Sequence, residues 1–254
     1  MTRLPDAFFK APLAHRALHD ATDGRPENSP AAIEAAIALG YGIEIDLQVS
    51  ADGQAMVFHD YHLGRLTIED GPIRQRTSTE LQRIPLKGGS DTVPTLEQVL
   101  EQVAGRVPLL IEVKDQDGAM GAAVGQLEAA AAQALQNYDG PVALMSFNPQ
   151  TVLKLGILLP ELPRGLTTSA FRPEQWYPLP AGTLDRLREI PDYEHVKATF
   201  ISHEANDLGR DRVQDLVRRG ADLLCWTVKS HEEEAQARKH AHNITFEGYD
   251  APIP

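Results

Sequence analysis

The segment Ile43-Glu44-Ile45-Asp46-Leu47-Gln48-Val49-Ser50-Ala51-Asp52-Gly53-Gln54-Ala55-Met56-Val57-Phe58-His59-Asp60 opens as a β-strand and then reads as two alternating runs around an Asp-Gly turn. Residues i and i+2 of a strand point the same way, so Glu44 and Asp46 share one face. A crossover between parallel strands needs about a dozen residues or more, and the connection after Asp46 is too short for one. It is therefore an antiparallel hairpin, which returns His59 towards the level of Asp46.

Outward from this segment, short β-rich runs recur at residues 13–15, 109–114, 142–147, 164–168, 198–202, 223–228 and 244–247, making eight with residues 43–46. Helical periodicity fills residues 29–39, 95–104, 119–137, 210–219 and 230–241 between them. Ser29-Pro30, Thr95 with Glu97-Gln98, and Ser230 with Glu232 to Glu234 supply start signals. Strands alternating with helices pair in parallel through right-handed crossovers, and eight units in 254 residues match the count and size of a closed barrel. An open doubly wound sheet is the alternative; in both, ligand chemistry belongs at the C-terminal ends of the strands.

Composition agrees with one globular domain over residues 1–254: hydrophobic residues make up 42%, and Pro and Gly are scattered as punctuation without forming a linker. A formal charge of −12 disfavours a nucleic-acid partner and favours a cation between gathered acids if the substrate is anionic. The single Cys225 permits no intramolecular disulfide and lies in an apolar run as buried filler. Met1 to Pro12 lacks a signal-peptide pattern, and no window approaches the ~18 apolar residues of a membrane helix. A reducing, cytoplasmic setting and no stable membrane insertion follow as expectations.

Ionisable residues at strand ends are the informative ones, because a barrel interior holds charge only when it is paired or metal-bound. His15-Arg16, Glu44-x-Asp46, His59-Asp60 and Glu112-x-Lys114 qualify. Glu44, Asp46 and Glu112 form an all-oxygen half-shell suited to a hard cation such as Mg2+ or Ca2+, while an ion pair with Lys114 is the alternative use of a carboxylate. His15 and His59 can exchange protons near neutral pH, and Arg16, Lys114 and a metal can balance phosphate charge, the requirements of phosphodiester cleavage. Trp226 fits either a pocket wall or core packing, and Glu27-Asn28 either the active rim or a helix cap at Asn28 or Ser29. His19, His62, His195, His203, His231, His240 and His242 have weaker claims.

His15-Arg16, Pro26-Glu27-Asn28-Ser29, Glu44-Ile45-Asp46, Asp52-Gly53, His59-Asp60, Pro94-Thr95-Leu96, Glu112-Val113-Lys114, Ser146-Phe147 and Trp226-Thr227-Val228 resemble, in order, the motif series of the glycerophosphodiester phosphodiesterase family, over about residues 13–249. The resemblance implies a (β/α)8 TIM barrel with a β-hairpin and a small insertion after the second strand, at about residues 61–92. It implies a divalent cation on Glu44, Asp46 and Glu112, His15 and His59 as the acid/base pair, and Arg16, Glu27 and Lys114 near the substrate. It further implies hydrolysis of glycerophosphodiesters, small molecules, to glycerol 3-phosphate and an alcohol. The chain departs from the family's usual pattern at Ala17, in the long loop at residues 18–25, and at Glu247-Gly248-Tyr249.

Two other readings compete. A phospholipase-like enzyme on the same fold would need an interfacial surface, and no basic amphipathic stretch supports one. A non-catalytic phosphate-binding module would be marked by a lost histidine or carboxylate, and both histidines and all three acids are present. Homo-oligomerisation through the outer helices is left open.

Overall fold

The computed structural model describes residues 3–254. Its strands are β1 (Leu13–Ala14), β2 (Gly42–Val49), β3 (Ala55–Val57), β4 (Leu109–Val113), β5 (Val142–Ser146), β6 (Arg164–Thr168), β7 (Phe200–Glu204), β8 (Asp222–Val228) and β9 (Asn243–Phe246). Its helices are α1 (Ala7–Lys10), α2 (Pro30–Leu39), α3 (Ser78–Leu81), α4 (Leu96–Val103), α5 (Gln126–Leu135), α6 (Pro149–Leu158), α7 (Ala181–Arg188), α8 (Asp211–Arg218) and α9 (His231–Ala237).

All strands except β3 pair in parallel around a ring, and β1 closes it by pairing with both β2 and β9. The fold is thus a TIM barrel, and the open-sheet alternative is excluded. β3 lies outside the ring, antiparallel to β2 with Leu47 opposite Val57 and Val49 opposite Ala55. The Phe58 amide donates to the Asp46 carbonyl at 2.9 Å, so the hairpin does bring His59 back to the level of Asp46.

Alternate residues of the strands serve two layers. Ile43, Ile45 and Leu47 of β2 and Leu109, Ile111 and Val113 of β4 face the helices in the large core. Leu13, Leu110, Ala143, Phe200 and Leu224 point inward and form the barrel floor with Phe8 of α1. α1 is tied down from below, because the Asn243 amide donates to the Phe8 and Ala11 carbonyls at 2.6 and 2.7 Å. Residues of the insertion pack a separate cluster in which Leu63, Leu66, Ile73, Leu81 and Leu86 meet Met56 and Phe58 of the hairpin. Among the described residues, no helix is long and apolar enough to cross a membrane.

Local chemistry sets the helix starts. The Ser29 hydroxyl accepts from the Ala32 amide, Pro30 occupies the first turn of α2, and Thr95 forms a capping box with Gln98 on α4. One boundary differs by several residues: the helix expected from Ala119 begins only at Gln126. Asp115 accepts the amides of Asp117, Gly118 and Met120, and Asp117 those of Ala119, Gly121 and Ala123, so the backbone donors are spent on loop bonds before the helix can start. The strand expected at residues 198–202 is β7, two residues later, where Phe200 pairs with Gly165.

That pair is tight. A Cβ on Gly165 would lie 2.4 Å from the Phe200 ring, whereas one on Gly182 of α7 would meet nothing within 4 Å. Gly165→Ala should therefore cost about 1–3 kcal/mol in chemical denaturation, and Gly182→Ala should not lower stability.

Candidate active site

The β2–β4 register sets Asp46 beside Glu112, and Glu44 precedes Asp46 by two residues on the same inward face. One oxygen of each of the three carboxylates lies within 4.8 Å of the others. They are only 2%, 1% and 6% exposed, so water cannot offset their mutual repulsion. Lys114 Nζ lies 2.7 Å from Asp46 Oδ1 and 2.6 Å from Glu112 Oε1. The Asn28 side chain donates to Asp46 Oδ2 at 3.0 Å, and the Arg16 amide donates to Glu44 Oε2 at 2.9 Å. Reaching these positions puts Arg16, Ala17 and Asn28 at φ of +52°, +64° and +59°. Non-glycine residues rarely adopt such angles, and the glycine usual in this resemblance at position 17 would do so freely.

The charges are unevenly matched. Burial opposes ionisation of Asp46, but Lys114, His59 and Arg16 outweigh it and hold the carboxyl well below its usual range. Burial likewise works against the Lys114 ammonium, yet Asp46 and Glu112 raise it. Glu44 touches no cationic side-chain group, and burial together with the Asp46 and Glu112 charges pushes it well above the carboxylate range. A set of oxygen donors with one acid left uncompensated fits a hard divalent cation, which would return Glu44 to its charged form.

Each expected histidine is held by a carboxylate. His15 Nδ1 lies 2.5 Å from Glu247 Oε2, and His59 Nδ1 2.6 Å from Asp60 Oδ1. A carboxylate only accepts, so Nδ1 carries hydrogen in both rings and Nε2 is the nitrogen left for proton exchange. Burial lowers the His15 pKa, opposed by its bond to Glu247. The hydrogen bond from His15, with His19 Nε2 nearby, keeps Glu247 far below the usual carboxylate range, and Lys229 Nζ lies 2.6 Å from its second oxygen.

Arg65 of the insertion braces both sides. Its guanidinium donates to Asp60 at 2.6 and 2.8 Å and to Glu27 at 2.8 and 2.7 Å. Glu27 in turn accepts from Arg16 at 3.0 Å.

These groups surround a cavity of about 300 Å³ at the C-terminal ends of the strands, lined by His15, Arg16, Glu44, Asp46, His59, Glu112, Lys114 and Trp226 among others. Of the residues given a catalytic, metal or substrate role from sequence, Glu27 alone stands behind the lining, in contact with Arg16. Trp226 is a wall residue, its indole nitrogen donating to the Ser202 carbonyl at 3.0 Å. Ser29 is the helix cap, and Asn28 instead serves Asp46. Sequence reasoning gave no role to Glu247, Lys229, Asp60 or Arg65, and it ranked His19 low although the long 18–25 loop carries it to 3.6 Å from Glu247. His203, buried against Thr168 and Asp207, is structural.

Comparison with known proteins bears on the family and the fold. The sequence profile of the glycerophosphoryl diester phosphodiesterase family matches residues 15–244. YhdW of Bacillus subtilis (strain 168) is 28% identical over 235 residues, 88% of each chain. The glycerophosphodiester phosphodiesterase of Caldanaerobacter subterraneus subsp. tengcongensis is 28% identical over 217 residues, 82% of each chain. An Oleispira antarctica phosphodiesterase, solved in complex with the product sn-glycerol-3-phosphate, shares the fold with a TM-score of 0.76 at 24% identity, over 95% of this chain and 94% of that one.

Calorimetric titration of chelator-treated protein with Mg2+ and with Ca2+ should reveal one divalent site. Glu44→Gln should weaken it by about 10-fold or more, and undiminished binding by that variant would remove Glu44 from the ligand set.

Proposed function

Since the chain belongs to the glycerophosphoryl diester phosphodiesterase family and is a phosphoric diester hydrolase, we propose that it cleaves glycerophosphodiesters to glycerol 3-phosphate and an alcohol by metal-assisted histidine catalysis. The observation that carries this reading is the convergence of three buried acids and two carboxylate-held imidazoles on one cavity. A cytoplasmic setting belongs to the same reading, favoured by a single cysteine, Cys225, that is buried.

Glu44, Asp46 and Glu112 would hold the cation, Mg2+ or Ca2+, whose chemistry when bound is Lewis-acid polarisation of the phosphoryl group. The Arg16 guanidinium and the Lys114 ammonium face the same cavity and bind non-bridging oxygens as negative charge grows on them. Arg16 Nε makes no hydrogen bond and lies 3.6 Å from Asp46 Oδ2. Water adds to phosphorus as the ester P–O bond breaks; one imidazole takes the proton from the water and the other returns one to the departing alkoxide. Glu247 and Asp60 hold His15 and His59 in the required tautomer and orientation. Glu27 serves the substrate by fixing Arg16, and Trp226 closes the cavity wall.

His15→Ala or His59→Ala should lower kcat on glycerophosphocholine by about 100- to 10,000-fold with the fold retained. Near-normal turnover in both would remove the acid/base assignment. Arg65→Ala should cost about 10- to 100-fold, mostly in kcat, because it loosens His59 and Arg16 without touching the substrate. Chelation should abolish activity, and added Mg2+ or Ca2+ should restore it.

A further inference from the structure

A second cavity, of about 560 Å³, opens beside the catalytic one and shares His59, Glu112, Lys114 and Phe147 with it. Its remaining wall is drawn from three separate segments: Asp60, Tyr61 and His62 at the start of the insertion, Asp115 and Met120 of the loop after β4, and Gln175 and Trp176 of the loop after β6. Phe147 stands at the junction, edge-on to Trp226 of the catalytic cavity at 5.5 Å between centroids and packed on Trp176 of the second cavity at 4.8 Å. One aromatic surface therefore runs from the phosphate chamber into the annex.

The charged groups of the annex wall are already engaged, and His62 and Gln175 add neutral polar groups to it. Asp60 is held by His59 and Arg65; Asp115 accepts backbone amides and the Asn148 side chain. Glu112 is bound by Lys114, and the Tyr61 hydroxyl donates to the Asp115 carbonyl at 2.7 Å. No wall carboxylate is left unpaired to attract a cationic headgroup, and the charge of the one ammonium, Lys114, is balanced by Asp46 and Glu112. Beside His62 and Gln175, the ring of Tyr61, the Met120 thioether, Phe147 and Trp176 offer a continuous apolar surface.

We propose that this annex binds the alcohol portion of the substrate and selects uncharged alkyl or aryl esters of glycerophosphate over those with charged alcohols. The proposal rests on the phosphodiesterase reading above, since it places that reaction's second ester group on the His59 side of the phosphate chamber. Burying one methylene yields about 0.8 kcal/mol, or about 4-fold in kcat/KM.

The test is a series of glycerophosphate alkyl esters from methyl to hexyl, assayed with the metal-supplemented enzyme, together with glycerophosphocholine and its neutral isostere, the 3,3-dimethylbutyl ester. We expect kcat/KM to climb about 4-fold per methylene and the neutral isostere to outrun the choline ester. Trp176→Ala should reduce the hexyl-to-methyl ratio, with the melting temperature reporting that the variant is folded. Rates flat or falling along the series, a choline ester faster than its isostere, or an unchanged ratio in Trp176→Ala would overturn the annex assignment while leaving the phosphodiesterase reading in place. No hydrolysis of any ester would overturn both.

Discussion

Three carboxylates held out of water within 4.8 Å of one another are the constraint around which the site is organised. Repulsion of this kind in a dry interior is worth several kcal/mol unless it is compensated, so neighbouring structure has to supply positive charge or donors. Lys114 supplies one charge, Arg16 an amide and a guanidinium, and Asn28 an amide. The left-handed backbone at Arg16, Ala17 and Asn28 accompanies that supply, because the turns after β1 and before α2 must aim donors at the acids. The register matters equally. A slip of one residue between β2 and β4 would turn Glu112 into the helix layer and Ile111 into the chamber, destroying core and site together.

The hairpin and insertion extend this logic beyond the ring. Arg65 is nearly half exposed, so its ion pairs with Glu27 and Asp60 contribute little to stability. Their value is positional. One guanidinium fixes the carboxylate that orients His59 and the carboxylate that holds Arg16, coupling groups from the loops after β1 and β3. The insertion thereby acts as a brace on the chamber as well as a cover beside it.

The parts of this arrangement that sequence exposes are those set by short spacings. Period-two placement put Glu44 with Asp46 and Glu112 with Lys114, and the Asp-Gly turn brought back His59, because strand geometry is local. Closure of the ring is not local. His15 and Glu247 are separated by 232 positions and meet only because β1 pairs with β9, so a motif ending in Glu247-Gly248-Tyr249 looked merely unusual. Arg65 was hidden for a related reason, since nothing in a polar insertion distinguishes an arginine that reaches the rim from one in solvent. The late start of α5 shows the opposite failure: helical propensity from Ala119 is real but loses to Asp115 and Asp117, whose carboxylates capture the amides first.

The strands also show why charge is tolerable here. On several of them the chemistry sits one inward step beyond a floor residue: His15 after Leu13, Glu112 after Leu110, Trp226 after Leu224. The floor, sealed by Phe8 and Phe200, closes the chamber at one end and leaves it open at the strand ends, where substrate arrives. Electrostatic attraction between the acids and a cation is strongest where water is excluded, yet the phosphate must still enter. Placing acids directly above an apolar plug meets both demands. It also divides the interior positions by consequence, since a smaller side chain in the floor weakens packing first and reaches the chemistry only through the residue two positions later on its own strand.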